Sequence, residues 1–164
     1  MKAIYVNEPG GIKYALAIVK GIKPIETRSR NMLKSCIGEH VAVIRTRSGK
    51  APMIVGYVTI TSAIQLGKGW LDANRDKTMI PEGSKYDCKG ASKWCYFLTD
   101  AEECDPYPLP SSAVRHGRSW CEIDPVGEGC NGDCDYCIYK SIVPGTDALI
   151  YREPKYYCSL YGKM

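Results

Sequence analysis

Residues Gly21 to Arg28 read G-I-K-P-I-E-T-R and set a lysine, a glutamate and an arginine in the spacing G-x-K-x-x-E-x-R. A lysine beside a carboxylate binds phosphate, polarises a carbonyl, or gives up its proton when water is excluded. The planar fork of Arg28 suits a phosphate, or a carboxylate such as Glu26. In an extended strand Lys23 points to the face opposite Glu26 and Arg28; a turn at Pro24 would let all three line one cleft. The plainer alternative is a salt-bridge network that only pins the fold.

Two further clusters have chemical potential. Arg115-His116-Gly117-Arg118-Ser119-Trp120 combines two arginines for phosphate with an aromatic face that stacks a base at about 1–3 kcal/mol. Within it, His116 is the nearest group for proton transfer at neutral pH. The alternative is a surface loop with Trp120 as a core anchor. From Cys130 to Cys137 the chain reads C-N-G-D-C-D-Y-C. Cys130, Cys134 and Cys137 would supply three of the four ligands of a structural zinc, with Cys104, Cys121 or Cys158 as the fourth. The alternative is three unliganded thiols in an irregular loop. As a string the segment also matches the iron–sulfur signature of radical SAM enzymes, but only 27 residues follow Cys137, too few for their barrel.

The elements that must position these groups follow from apolar periodicity. Lys2 to Val6 reads as a strand, Ile12 to Lys20 as a helix, and His40 to Thr46 with Met53 to Ala63 as paired strands. Gly56, inside the last of these, predicts a bulge or a close backbone approach. Leu66, Trp70, Leu71 and Ala73 suit a short helix, and Pro81 to Gly90 a polar loop. Trp94 to Thr99 returns to strand character. Glu102 to Pro110, with Pro106, Pro108 and Pro110, predicts an edge strand or a crossing loop. Cys121 to Ile123 closes the pattern, residues 124–146 form a loop appendage, and Ala148 to Arg152 a last short strand.

The motif and its surroundings resemble the ASCH family, a small β-barrel domain related to the RNA-binding PUA domains. In that family a first strand precedes a helix, then G-x-K-x-x-E-x-R, then a strand with a small-residue turn. Asn7, Glu8 and Pro9 fall in the strand-to-helix loop, where members often carry a proline. The resemblance is good over roughly residues 1–65 and extends to about residue 123; beyond that the chain has no family counterpart. It implies that the motif lines a cleft for RNA or nucleotide ligands. Related amidohydrolases that deacylate N4-acetylcytidine carry a nucleophilic threonine where this chain has Glu26, a departure that puts their chemistry in doubt here. Other members are linked to RNA cleavage by lysine, tyrosine and serine side chains. Lys23 matches that lysine, whereas Tyr5 and Ser119 are only guesses for the other two.

Composition bounds these readings. With 164 residues, 45% hydrophobic and 24% charged, the chain is long enough for one core and ordinary for a globular protein. No apolar run approaches the ~20 residues that span a bilayer, and the N-terminus lacks a secretory pattern, so a cytoplasmic protein without membrane contact is expected. Net charge +4 favours a polyanion only weakly. Nine cysteines, an odd number, argue against a fully paired disulfide framework.

The resulting expectation is an α+β protein: an ASCH/PUA-like β-barrel over residues 1–123 with one or two flanking helices. A cysteine- and tyrosine-rich extension, residues 124–164, packs on it. Its function is expected to be binding of single-stranded RNA or a nucleotide through Lys23, Glu26 and Arg28, with Arg115, Arg118 and Ser119 in support. The alternative is a hydrolase of RNA or of a modified nucleoside, with Lys23, Glu26 and His116 as catalytic residues. A third reading is an adaptor that binds a protein partner through the tyrosine-rich tail. No cofactor is required beyond the structural zinc that the cysteines allow.

Overall fold

Strand β1 (Lys2–Asn7) alternates Ala3 and Tyr5 with Ile4 and Val6, and all four are buried. A strand buried on both sides must lie inside a sheet. The computed structural model describes residues 1–9 and 11–123, together with the backbone of Lys140–Ile142 and Leu149–Tyr151. It places β1 beside β3 (His40–Arg47) in parallel, with Ala3 opposite Ala42 and Asn7 opposite Thr46. Parallel neighbours need a long crossover. Here it contains helix α1 (Tyr14–Val19), strand β2 (Ile25–Arg28) and a single 3₁₀ turn, Lys34–Cys36.

The remaining strands are β4 (Lys50–Gly67), β5 (Ser92–Pro108), β6 (Val114–His116) and β7 (Trp120–Glu122), with α2 (Lys68–Ala73) and α3 (Arg75–Thr78) between β4 and β5. The sheet order is β2-β5-β4-β3-β1-β7-β6, antiparallel except at β1–β3. A separate antiparallel pair joins β8 (Lys140–Ile142) to β9 (Leu149–Tyr151). No helix among the described residues is long and apolar enough to cross a membrane.

The expected closed barrel is corrected to an open seven-stranded sheet, with β2 and β6 as its edges. Closure would need a strand-to-strand ladder between those edges. Instead, β7 pairs with β1 only as far as Ile4 opposite Trp120. Beyond that point, Arg28 Nη2 of β2 donates to the Tyr5 carbonyl at 2.5 Å. One side chain thus stands where a ladder would have run.

The long strands β4 and β5 bend through register shifts at Ile54/Gly56, Tyr57/Thr59 and Ile60/Ser62. That bending lets one sheet carry a core on each face. The first contains Ile4, Val6, Ile18, Val43, Val58 and Tyr96, with α1 laid over it. The second contains Ala3, Tyr5, Ile44, Tyr57 and Tyr107, with the last two hydroxyls 2.7 Å apart. The segment Glu102 to Pro108 belongs to β5 rather than to a crossing loop. It pairs with β4 on one side only, because β2 reaches no further than Phe97. Its prolines therefore sit on a true edge.

Helix α1 is shorter than the expected Ile12 to Lys20. Its start is fixed by buried Glu8, whose Oε1 accepts from the Ala15 N–H at 3.2 Å and whose Oε2 holds Arg47 at 2.9 Å. Its end is fixed by Gly21, at φ 71°, a left-handed position that glycine fills without strain. Gly56 is the predicted close approach. A Cβ there would lie 2.1 Å from the Glu102 carbonyl oxygen and 2.8 Å from Val19 Cγ1. Gly56→Ala must push α1 off the sheet or break the β4–β5 pairing. A loss of about 2–4 kcal/mol in urea unfolding is expected; a loss below about 1 kcal/mol would show that the contact relaxes.

Candidate functional site

Gly21 ends α1, and the N–H groups of Ile22 and Lys23 both return to the Ala17 carbonyl at 2.9 Å. Pro24 then turns the chain into β2, so Lys23 escapes strand alternation and shares a side with Glu26. Lys23 is 2% exposed. Its Nζ donates to the Ile25 carbonyl at 2.5 Å and to the Thr78 carbonyl at 2.8 Å, and lies 3.3 Å from Glu26 Oε2. All three ammonium protons therefore face acceptors. Thr78 ends α3, where left-handed Met79 (φ 55°) halts the helix and leaves its carbonyls free for a cation.

Glu26 lies between two cations, with Oε1 3.2 Å from Arg28 Nε. That contact lacks hydrogen-bond geometry, and Arg28 Nε has no acceptor of its own. Burial pushes the Glu26 carboxyl up, but Lys23 and Arg28 together outweigh it and hold it below the ordinary carboxylate range. Glu26 is thus ionised at neutral pH. Burial pushes the Lys23 ammonium down, against the pull of Glu26. Lys93, also buried, is pushed down for the same reason and donates to the Tyr86 carbonyl.

These groups border a cavity of about 530 Å³, a size typical of small-molecule sites. Its walls are the end of β1, the start of α1, β2 and the loop leading into β5. Five cations line it (Lys23, Arg28, Lys85, Lys89 and Lys93) against two carboxylates, Glu26 and Asp87. Asp87 is already committed. It accepts the N–H groups of Gly83 and Cys88 and pairs with Arg75, which together hold its carboxyl down at about 2. Two tyrosines add aromatic surface, Tyr14 and Tyr86, edge to face with centroids 6.2 Å apart. The Tyr14 hydroxyl is buried and has no hydrogen-bond partner among the described residues. Tyr86 is held by Asn7, whose Nδ2 donates to its hydroxyl at 2.7 Å.

The backbone is similar to the crystal structure of ASCH from Zymomonas mobilis, with a TM-score of 0.53 and 20% identity over 65% of this chain and 73% of that one. A serine-to-alanine variant of the same protein aligns with a TM-score of 0.56 and 18% identity, over 74% and 88% of the two chains. The chain has the ASCH fold. At such low identity the likeness speaks for the fold alone. By sequence, no family model matches, and no curated protein matches at significance.

Within this ASCH fold, Lys23, Glu26 and Arg28 come together, while Arg115, His116 and Arg118 stay outside the cavity lining. The pairing of β7 with β1 carries the β6–β7 hairpin to the sheet edge remote from β2 in strand order. There His116 stacks on half-buried Trp120 at 4.1 Å and pairs with Glu122, and Arg115 covers the Tyr5 ring at 5.6 Å. Ser119 is buried behind the wall, its Oγ 3.3 Å from Sδ of Met32, which does line the cavity. Tyr5 points into the opposite core, so Tyr14 is the tyrosine beside Lys23, its ring 5.7 Å from Nζ.

Sequence reasoning missed Tyr14, Tyr86, Lys85, Lys89 and Lys93. Lys85 and Lys89 belong to the segment Pro81 to Gly90 that reads only as polar, and Lys93 to the start of β5; nothing in the sequence tells which way that segment folds. Cys130, Cys134 and Cys137 lie outside the described residues, as does Cys158. Among the described residues no cluster of metal-ligating side chains forms, and Cys121 is buried in the second core.

Glu26→Leu would leave buried Lys23 and half-buried Arg28 uncompensated, and a loss of about 3–5 kcal/mol in urea unfolding is expected. The pH dependence carries a matching sign. A carboxyl depressed in the folded state stabilises fully above its unfolded value, and that stability is lost as pH falls through the folded one. The wild-type urea midpoint should therefore drop as pH falls through and below the ordinary carboxylate range, and Glu26→Gln should flatten that limb. Identical limbs in the two proteins would show that Glu26 is not held ionised by Lys23 and Arg28.

Proposed function

We propose that this chain is a binding module for single-stranded RNA or a nucleotide, with one nucleotide seated in the Lys23–Glu26–Arg28 cleft. The observation that carries this reading is an ionised carboxylate held inside a cavity whose free charges are otherwise cationic. Glu26 repels phosphate and accepts N–H, so it suits the amino edge of a base, as carboxylates accept from cytosine N4. The phosphate then belongs at the outer rim, where Lys85 and Lys89 are exposed and form no ion pair with a described carboxylate. Tyr14 and Tyr86 offer the base an aromatic wall and, at Tyr14, an unused hydroxyl. The ASCH fold agrees with this class of ligand.

Lys23 serves in this reading as a positioning residue. Its three donors hold two carbonyls and Glu26, and fix the carboxylate in place. The hydrolase alternative has no comparable observation in its favour: His116 lies away from the cleft, and Lys23 Nζ is buried and turned onto two carbonyls and Glu26.

Fluorescence anisotropy with a short single-stranded RNA tests the proposal. Arg28→Ala and the pair Lys85→Ala/Lys89→Ala should each weaken binding at least about tenfold, roughly 1.4 kcal/mol. Lys68→Ala, whose lysine is paired with Asp72 on α2, should not. The intact mass of the RNA should be unchanged at the end. Loss of mass that requires Glu26 would favour the hydrolase, and absence of binding would overturn the RNA reading.

A further inference from the structure

A second cavity of about 500 Å³ adjoins the first. It lies between the linker from β1 to α1 and the turn joining β3 to β4. Its lining includes Glu8, Lys13, Arg47 and Lys50, and it shares Asn7 and Lys85 with the first cavity. The two hollows are therefore parted by a single polar ridge, with one exposed lysine bordering both. The second has no buried ionised group left to satisfy. Its one carboxylate, Glu8, is taken by Arg47 and the Ala15 N–H. Lys13 and Lys50 are exposed and pair with no described carboxylate. Aromatic side chains are absent from its described lining, so it offers a base no stacking surface.

Two adjoining hollows, one with a base-reading carboxylate and tyrosines and the other with two unpaired lysines and a carboxylate already taken, suit a chain rather than a free nucleotide. Resting on the nucleotide reading above, we infer that the ligand is a single-stranded oligonucleotide whose backbone leaves the Glu26 cavity across Asn7 and Lys85. Its neighbouring phosphate is held in the second cavity by Lys13 and Lys50. The first cavity selects the base. The second measures whether a phosphodiester continues from it, and so separates a strand from a mononucleotide. Phosphate contacts of this kind set position and affinity without reading sequence.

The test compares a nucleoside 5′-monophosphate with a single-stranded RNA tetranucleotide over a range of salt. Wild type should bind the tetranucleotide more tightly, with a salt slope steeper by about 0.7 for each added phosphate contact. Lys13→Ala/Lys50→Ala replaces two exposed side chains outside the first cavity, so folding should be unaffected; a urea midpoint confirms it. That variant should lose about tenfold or more for the tetranucleotide, flatten its salt slope, and leave mononucleotide affinity unchanged. Equal affinity of wild type for both ligands would overturn the inference and leave the nucleotide site standing. Equal loss for both ligands in the double variant would do the same. Failure of both ligands to bind wild type would overturn the nucleotide reading and this inference together.

Discussion

The buried Lys23–Glu26–Arg28 chain is the interaction on which the rest of the site depends. Through three side chains it joins the end of α1, the edge strand β2, the last turn of α3 and the backbone of β1. None of these groups would be tolerable alone, since an unpaired buried charge costs several kcal/mol. Together they satisfy one another, and the surplus is one positive charge at the mouth of a cavity. Removing any member would strand the others, so the chain fixes geometry as firmly as the apolar packing around it.

The open sheet gives this charge chain a second role. A closed barrel would occupy the Tyr5 carbonyl with a neighbouring strand. Because β7 stops short, that carbonyl is available to Arg28, and the space that another strand would fill remains as the cavity. The bend of β4 and β5 brings β2 around to within reach of β1. Gly56 contributes by letting α1 settle against the sheet where any side chain would collide. Tyr14, at the start of the same helix, belongs to the first core and also lines the cavity.

Charge decides what the hollow suits. Glu26 is held ionised by its partners, and Asp87 is neutralised by Arg75 and two N–H groups, so the rim lysines face outward uncompensated. This division, acceptor within and cations without, is what the proposed nucleotide would meet with the donor edge of its base and with its phosphate. The β6–β7 hairpin has the same residue types at similar density, but its His116–Trp120 stack consumes the aromatic face and leaves an exposed surface instead of a pocket.

The sequence by itself determined the local elements and the charged motif. Alternation in Lys2 to Val6, the helical period before Gly21 and the glycine within β4 follow from local sterics and burial, which a window of a few residues already contains. Gly21 as a helix stop and Pro24 as a turn belong to the same local class. Only the tertiary structure decided which charges meet. Lys23 finds Thr78 and Arg28 finds Tyr5 across long stretches of chain, and the loop bearing Lys85 and Lys89, with Lys93 at the start of β5, is brought beside β2 through long-range contacts that leave no periodicity in the sequence. For the same reason Arg115, His116 and Arg118, equally suited by type, stand outside the cleft: residue type fixes what a side chain can do, and strand order fixes what it can reach.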